Sequence, residues 1–308
     1  MFLFIVKRLV LLVPVFFVVS VVVFLIIHLV PGDPIDNLLR AGSSTAQRVQ
    51  IAAKYGLDRS LAEQYFVWMR RLVSGDLGTS IIQGRPVGAL IAQNLPYSLQ
   101  LGGAALLFSA LTGIAAGVLA ASFHGTKLDD GISGLILLGS TVPSFWLGLL
   151  LILVFAVWLG WVPISGARGW TSLILPVIAT GIGGIALVAR VTRIAMIETA
   201  RQDFVMLLHA KGLSPAIIQV RHVLRHALVP VVTILALRIG WILGGTVTIE
   251  YVFARPGLGS LLIRALNQRD YPLVQACLLM LAMAVILGTL LGDIIQAAMD
   301  PRQREVRS

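Results

Sequence analysis

Six stretches of this sequence are each long and apolar enough to cross a lipid bilayer as a helix. They lie at about 9–30, 98–122, 132–160, 173–196, 228–249 and 273–298. A transmembrane helix needs about 20 apolar residues, because the hydrocarbon layer of a bilayer is about 30 Å thick. With 57% hydrophobic and only 12% charged residues, the chain has too little polar surface for a soluble protein of its length. We therefore expect an all-α integral membrane protein with six transmembrane helices.

The basic residues near the ends of these stretches predict the orientation of the chain. Twelve Lys and Arg residues lie in the tails and short connections on the side of the N-terminus, and four lie on the opposite side. Because cytoplasmic loops are enriched in Lys and Arg, both termini should be cytoplasmic. The net charge of +10 does not indicate nucleic-acid binding, since the basic residues follow the ends of the spans and form no single stripe.

The connection at 31–96 carries helix signals of its own. Ser60 and Glu63 form a capping box ahead of a segment with several aromatic residues, and Gly75 is placed to end that helix. Pro86 suits the first turn of another helix, "PVGALIAQNL". We expect a small folded cap, and a disordered linker is the alternative.

The connection at 198–227 has the chemistry of a helix, a turn and a second helix. Gly212 suits the left-handed residue after the first helix, Ser214 suits an N-cap, and Pro215 suits the first turn of the second helix. The second helix should carry one apolar face at α-helical spacing, made of Ile217, Val220, Leu224 and Leu228. Such an element could be gripped by a partner protein, or it could be a connector that lies on anionic lipid.

The motifs of nucleotide binding, hydrolysis and metal binding are missing. No GxxxxGK[ST] sequence occurs, so the chain has no loop that cradles ATP phosphates, and energy for any active process must come from another chain. GxSxG and HExxH are absent too, which argues against an intramembrane hydrolase. Cys277 has no cysteine partner, and His222 and His226 lack a nearby carboxylate, so we expect no metal site.

Ten short strings carry a resemblance to a known family. They are "PGDP" at 31–34, "YGLDRSLAEQY" at 55–65, "GDLGTS" at 75–80, "GRPV" at 84–87, "LPYSLQL" at 95–101, "HAKGL" at 209–213, "RHVLRHALVPVVT" at 221–233, "FARPGLG" at 253–259, "RDYPLVQ" at 269–275 and "DPR" at 300–302. In this order, and over nearly the whole chain, they resemble the first (B-type) membrane subunit of bacterial ATP-binding-cassette importers for dipeptides and oligopeptides. The resemblance implies the type I importer permease (MetI-like) fold, with a helical extracytoplasmic insertion between the first two spans.

The same resemblance implies an organisation and a set of partners. The first span and its cytoplasmic end would occupy 1–30, the extracytoplasmic cap 31–96, the permease core 97–299 and a cytoplasmic tail 300–308. The chain would sit in the bacterial inner membrane as a heterodimer with a C-type permease, in contact with membrane lipid. Two cytoplasmic ATPases would bind ATP and Mg, so this chain would be no enzyme and hold no cofactor, and an extracytoplasmic binding protein would deliver peptide.

The connection at 198–227 resembles the family's EAA loop, whose short helix docks in a cleft of the ATPase. The docking residues implied by the resemblance are Met206, Leu207, Leu208, His209, Ala210, Lys211, Gly212, Leu213, Ser214 and Pro215. Met206-Leu207-Leu208 stands where the family has Glu-Ala-Ala, which makes the docking face more apolar. Two further departures are Arg238, in the fifth span, and Arg255, where the family has a bulky apolar residue.

Three residues within the spans are candidates for a translocation pathway: Arg238, Pro143 and Asp293. An isolated charge as deep in a span as Arg238 costs roughly 2.5 to 3.5 kcal/mol, so it should face a watery cavity or pair with an acid such as Asp293 or Glu250. A structural ion pair is the alternative to a role in transport. Pro143 should bend the third span.

Three residues of the cap, Asp76, Gly78 and Arg85, are candidates for docking the binding protein. Glycines four residues apart should let helices approach closely, namely Gly113 with Gly117, Gly240 with Gly244 and Gly288 with Gly292. The alternative function is an ion-coupled secondary transporter, which would need titratable groups near the middle of the membrane. The sequence leaves the substrate open among dipeptides, longer peptides, nickel chelates and glutathione.

Overall fold

The computed structural model describes residues 2–29 and 58–299, and these ranges are helical with short connections. The predicted tail at 300–308 and the first part of the predicted cap, 31–57, lie outside the described residues. The helices are α1 (Phe2–Leu29), α2 (Leu61–Val73), α3 (Val87–Ser122), α4 (Lys127–Thr141), α5 (Ser144–Leu151), α6 (Thr171–Ala200), α7 (Asp203–Ala210), α8 (Leu224–Val252), α9 (Leu258–Asn267) and α10 (Tyr271–Met299). Two π-helical segments extend them, Ile152–Trp158 after α5 and Ile218–Val223 before α8.

The structure confirms an all-α membrane protein. In the described ranges, five helices are long and apolar enough to cross a membrane, and a bent pair of helices makes a sixth crossing if the pair is taken as one span: Val6–Leu25, Val87–Ser122, Thr171–Ala200, Pro215–Gly240, Tyr271–Ala298 and the pair Lys127–Thr141 with Ser144–Trp158. Apolar side chains such as Val13, Leu111 and Leu138 are exposed on these helices. Exposed leucine and valine on a long helix are expected where lipid is the solvent.

The third span is bent at Pro143, as predicted. α4 and α5 meet at an angle of 99°. Val142 and Pro143 have extended backbone between them, with ψ angles of 126° and 132°. Proline disfavours helical geometry at the residue before it and has no N–H to continue the helix. The proline therefore ends α4 and starts α5 in a new direction.

α3 differs from the expected division between cap and core. The helix predicted to open at Pro86 starts at Val87 and continues without a break to Ser122, through Pro96 and past the expected boundary at residue 97. A proline within a long helix removes one backbone hydrogen bond, and packing of the neighbouring turns can hold the helix together. Leu90, before the proline, and Leu101, after it, are both buried against other helices.

The bundle has two ends, which we name by the residues that they carry. The loop end carries residues 201–214, and the cap end carries α9. α3 packs along α6, and α8 packs against α3, α6 and α10. Three clusters of buried side chains follow the bundle, represented by Leu261 and Leu273 at the cap end, Ala179 and Ile249 in the middle, and Met196 and Val223 at the loop end.

α2 packs on α1. The predicted capping box is present, because the Ser60 amide donates to Glu63 Oε2 at 3.1 Å and the Glu63 amide donates to Ser60 Oγ at 3.4 Å. The Tyr65 ring lies 5.4 Å from the ring of Phe24 on α1, and its hydroxyl is 2.9 Å from Ser20 Oγ. No residue of α2 is fully buried. Its packing therefore consists of partly exposed side chains, such as Tyr65, that contact α1.

Candidate functional site

The predicted helix–turn–helix lies at the loop end. α7 ends at Ala210, and Gly212 has a φ of +79°, the left-handed conformation that the sequence predicts. The Leu213 amide donates to the Leu208 carbonyl at 3.3 Å and the Gly212 amide to the His209 carbonyl at 2.9 Å. These two bonds form a Schellman motif, which satisfies the last carbonyls of α7 and reverses the chain sharply.

The second helix begins where the sequence predicts. Pro215 is its first residue, and Ser214 occupies the N-cap position, although its side chain makes no capping hydrogen bond. The Ser214 carbonyl accepts from the Ile218 amide at 3.1 Å. A turn at Pro215–Ile217, the π-helical segment Ile218–Val223 and α8 then follow one another without a break.

The predicted apolar face of this second helix is not the side that packs on the bundle. The side chains buried within the chain are Ile218, Val223, Ala227 and Val231. Ile217 and Val220, which belong to the predicted face, are largely exposed. The two buried residues of the π-helical segment, Ile218 and Val223, are five positions apart, so the buried side does not follow α-helical spacing.

The helix–turn–helix has a packed side and an apolar exposed side. Val205 is buried with Met196 of α6 and Ile218, so the turn is held on the bundle. Met206, the next residue of α7, is 70% exposed, and Leu207 is exposed beside it. We call Met206, Leu207, Ile217 and Val220 the tip residues. Apolar side chains that stay exposed next to basic residues such as Lys211 are typical of a surface that binds a partner.

An ion pair that the sequence did not predict fastens the start of α4 to α6. Arg193 donates from Nε to Asp129 Oδ1 at 2.7 Å and from Nη2 to Asp129 Oδ2 at 2.6 Å. Asp129 is only 2% exposed, and it also accepts from the Gly125 amide at 3.1 Å. His124 Nδ1 lies 3.2 Å from Arg193 Nη2. The sequence signal that could have pointed to this pair is an acidic residue in the first turn of an otherwise apolar helix.

Arg238 reaches α6 and neither of its expected acidic partners. Its Nη1 donates to the Gly183 carbonyl at 3.4 Å, and its buried Nε has no partner in the described part of the chain. Gly184 makes room for it, because a Cβ there would lie 3.1 Å from the Arg238 Cζ. Asp293 instead accepts from Arg8 of α1 at 2.9 Å. That ion pair accounts for an acid within α10, and a pathway role for Asp293 stays a prediction.

Glu250, the other expected partner, caps α9. One carboxylate oxygen, Oε2, accepts from the Gly259 amide at 2.8 Å and from the Ser260 amide at 3.3 Å. These amides belong to the first turn of α9, where unpaired N–H groups and the helix dipole favour a negative charge. Glu250 therefore connects the end of α8 to the start of α9.

Arg255 is buried at the cap end, although the sequence marked it only as a departure from the family. It is 2% exposed, and its Nη2 donates to Gln100 Oε1 at 2.7 Å. Its guanidinium carbon lies 5.8 Å from the centre of the Tyr97 ring, within the range of a cation–π contact. Burial lowers the pKa of the Arg255 guanidinium, and the nearby Glu250 carboxylate partly opposes this change. The contacts tie the connection between α8 and α9 to α3.

The candidates for docking a binding protein lie on one loop at the cap end. Asp76 Oδ1 accepts from the Gly78 amide at 2.9 Å, and Gly78 has a φ of +81°. Arg85 is exposed, and its Nη2 lies 3.4 Å from Gln93 Oε1. The structure thus brings the three candidates to one loop, between α2 and α3.

A buried acid holds this loop in place, and the sequence did not single it out. Asp270 is fully buried, and it accepts hydrogen bonds from the Ser80 hydroxyl and from the Ile81 amide, the latter at 3.1 Å. Asp270 precedes α10 and lies 190 positions from Ser80. Since no periodic pattern links positions so far apart, the contact required the structure.

Comparison with known proteins gives the family. Residues 113–305 match the family model described as "Binding-protein-dependent transport system inner membrane component", and residues 1–102 match the corresponding N-terminal model. The chain is 37% identical over 302 residues to the glutathione transport system permease protein GsiC of Escherichia coli (strain K12), covering 98% of each chain. It is 38% identical to the di/tripeptide transport system permease protein DppB of Pseudomonas aeruginosa (strain UCBPP-PA14), covering 99% of each chain.

A solved structure shares the fold. The chain matches a structure titled "Inward facing conformations of the MetNI methionine ABC transporter" with a TM-score of 0.58 at 19% identity, covering 68% of this chain and 96% of the other. The similarity confirms the expected MetI-like permease fold. Taken with the two family models and the near full-length relatives, the bundle and its loop show that this chain belongs to the family of inner membrane components of binding-protein-dependent transport systems.

Proposed function

We propose that this chain is a permease subunit of an ATP-driven importer for short peptides or peptide-like solutes such as glutathione. The relatives that it matches over nearly their full length are named as permeases for glutathione and for di- and tripeptides. Among these relatives nothing supports the ion-coupled alternative. The observation that carries the proposal is a helix–turn–helix that packs on the bundle and exposes apolar tip residues, on a chain whose sequence has no ATP-binding motif.

The loop end would be cytoplasmic, with both termini on that side. Two cytoplasmic ATPases would bind ATP and Mg, and one of them would grip residues 206–215. A C-type permease would complete the pathway as the other half of a heterodimer. Because Val205 and Ile218 fix the helix–turn–helix on α6 and α8, a movement of the gripped turn would be passed to both helices.

The docking role of the tip can be tested with cysteine cross-linking. The native Cys277 is buried, so a cysteine introduced at an exposed position becomes the main reactive thiol. We expect Met206→Cys to cross-link to an ATPase subunit in membranes that contain the whole transporter. Val73→Cys is the matched control, because Val73 of α2 is 79% exposed but lies far from the loop end in the proposed topology. Equal cross-linking of both variants, or of neither, would contradict the docking role.

Arg238 would contact the substrate on its way through the membrane. It projects from α8 towards the Gly183 carbonyl, and one guanidinium nitrogen is left without a partner in the described residues. A guanidinium binds a carboxylate with charge-assisted hydrogen bonds. Pro143, at the bend of the third span, is the second pathway candidate, because an interrupted helix leaves backbone carbonyls available.

This role of Arg238 predicts a dependence on the terminal carboxylate of the substrate. Arg238→Gln should reduce uptake of a labelled dipeptide with a free C-terminus at least several-fold more than uptake of the same dipeptide as its C-terminal amide. A purely structural arginine would lower both rates by the same factor. Competition uptake assays in a strain that lacks the native gene measure this ratio, and they also identify the preferred substrate among di-, tri- and pentapeptides and glutathione.

Asp76, Gly78 and Arg85 would form part of the surface that receives the peptide-binding protein. Their loop is held by the buried Asp270 and carries exposed charges of both signs. Charged groups at the rim of an interface chiefly affect the rate of association. Arg85→Glu should therefore raise the concentration of binding protein needed for half-maximal transport while leaving the maximal rate unchanged, and a lower maximal rate with an unchanged requirement would contradict it.

A further inference from the structure

A cleft at the loop end is lined by residues that belong neither to the candidate transport pathway nor to the tip residues. It lies where the last turns of α3 and α6 meet the π-helical segment before α8, and it has a volume of about 200 Å³. Its wall is mostly apolar and includes Met196, Ile197 and Val223, while His124, Arg201 and Gln219 supply polar groups. A cleft of this kind suits a ligand that has an apolar body and a polar head.

Arg201 and Gln219 present hydrogen-bond donors to the cleft, and His124 supplies an imidazole ring. Gln219 Oε1 already accepts from the Ser122 hydroxyl at 2.7 Å, so its amide nitrogen remains as a donor. His124 Nδ1 lies 3.2 Å from Arg193 Nη2 and 3.2 Å from Asp129 Oδ2, so Nε2 is the ring nitrogen left to meet a ligand. Arg201 is exposed, and its guanidinium has five N–H groups.

The charges around the cleft favour an anion. Asp129, the acid closest to His124, is already paired with Arg193 at 2.6 Å. Glu198 and Asp203, which are near Arg201 in the sequence, do not line the cleft. One guanidinium and one amide N–H, with the His124 imidazole beside them, together match the oxygens of a phosphate group.

The position of the cleft favours a lipid over a soluble phosphate. The candidate spans Val87–Ser122 and Thr171–Ala200 both end at it, so it lies at the boundary of the membrane. Exposed Leu119 on α3 and Ile194 on α6 continue the apolar surface into the spans, where an acyl chain could lie. Basic pockets between transmembrane helices bind the head groups of anionic lipids in other membrane proteins.

We propose that this cleft binds the phosphate of an anionic phospholipid from the leaflet at the loop end. The head group lies beside His124 and accepts hydrogen bonds from Arg201 and Gln219, and an acyl chain covers the apolar wall. Arg201 is the residue that ends α6, two positions before α7 begins. A bound lipid therefore stabilises the junction between the bundle and the helix–turn–helix, and this role does not depend on which solute is transported.

Native mass spectrometry of the full-length chain, purified with the subunits that copurify with it, tests the proposal. The sample is titrated with phosphatidylglycerol, and separately with phosphatidylcholine and with soluble glycerol phosphate. We expect one tightly retained phosphatidylglycerol. Arg201→Gln should weaken its binding about fivefold, because one basic residue near an anionic membrane surface contributes about that factor. Ala200→Trp should weaken it too, since Ala200 is exposed and lines the cleft, and this change fills the cleft without altering the charge.

Arg221→Gln is the matched control, because Arg221 is exposed on the same side and does not line the cleft. It should leave binding unchanged. Equal losses in the Arg201 and Arg221 variants would mean diffuse attraction to the surface and would overturn the proposal. Equal retention of phosphatidylcholine would also overturn it, and so would glycerol phosphate that binds as tightly as the lipid, since the ligand would then be a soluble phosphate.

Discussion

Asp129 and Arg193 form the most completely paired charge contact in the described part of the structure, with two donor–acceptor distances of 2.7 and 2.6 Å. The pair joins the turn between α3 and α4 to the helix that leads into the helix–turn–helix. Breaking a buried pair leaves one charge without compensation, which costs more than the intact pair contributes. At the scale of residues, this contact fixes the third span to the part of the bundle that would move during coupling.

Asp129→Asn should destabilise the protein by about 1 to 3 kcal/mol, because Arg193 loses its charged acceptor within the chain. Thermal unfolding of the purified transporter, monitored by a reporter at the start of α4, measures the change. Asp130→Asn is the matched control, since Asp130 is the next residue on the same helix and is exposed. Equal losses of stability in the two variants would show that the charge of the first turn matters and the ion pair does not.

Asp270 gives a second prediction at this scale. Asp270→Asn removes acceptor capacity from the Ser80 hydroxyl and the Ile81 amide, so the loop between α2 and α3 should open more often. Leaving a buried N–H unpaired costs about 1 to 3 kcal/mol. Hydrogen exchange at residues 80–85 should become faster in this variant and remain unchanged in Asp76→Asn, whose exposed carboxylate accepts from the Gly78 amide outside that range. Unchanged exchange in both variants would contradict the role of Asp270.

The roles of single residues were predicted correctly where the motif to which they belong is short. Gly212, Pro215 and the Ser60–Glu63 capping box were predicted correctly because each depends on neighbours within a few positions. The sequence did not predict the pairing of Asp129 with Arg193, which are 64 positions apart. It also offered Asp293 or Glu250 as partners of Arg238, although Asp293 pairs with Arg8 and Glu250 with the amides of α9. Long-range partners depend on how the helices pack, and charge alone does not specify this.

At the scale of elements, glycines set the distance between α8 and α10. A Cβ on Gly288 would lie 2.6 Å from the Gly240 Cα, so the two backbones touch at this point. A Cβ on Gly244 would meet only Val285 Cγ2, at 4.0 Å. The predicted close approach is therefore present at Gly240, Gly288 and Gly292, whereas Gly244 has room for a side chain.

Gly288→Ala should force α8 and α10 apart and destabilise the protein by about 1 to 3 kcal/mol, as overpacking does elsewhere. Gly244→Ala should be neutral or slightly stabilising, because alanine is the better helix former and its methyl group fits. Thermal unfolding in detergent compares the two variants. Two equal effects, in either direction, would contradict the assigned contact.

The side of the helix from Pro215 that packs on the bundle is also determined at this scale. Spacings of three and four residues predicted one apolar face, whereas the π-helical segment Ile218–Val223 places its two buried residues five positions apart. A pattern of apolar and polar residues has the period of a regular helix, and it does not reveal where a π-helical turn inserts an extra residue. The bend at Pro143 was predicted because proline has a local signal, but its angle of 99° depends on the helices against which α4 and α5 pack.

At the scale of the whole molecule, the length of the apolar runs was sufficient to predict an all-α membrane protein. The hydrocarbon layer requires both the length and the apolar character of the spans, so this prediction needed no tertiary contact. The fold family followed from short strings in a fixed order, and the relatives and the fold match support it. The division between cap and core was less predictable, because α3 runs through the expected boundary.

The central claim is that this chain is a transport subunit that would be driven through residues 206–215 by ATPases that other chains supply. Uptake of a labelled dipeptide into proteoliposomes tests it most directly, with the permease pair and the binding protein reconstituted with or without the ATPase subunits. The account predicts accumulation against a gradient only when both the ATPases and ATP are present, and its loss in Met206→Glu with the bundle still folded. Accumulation by the permeases alone, driven by a proton or sodium gradient, would contradict it.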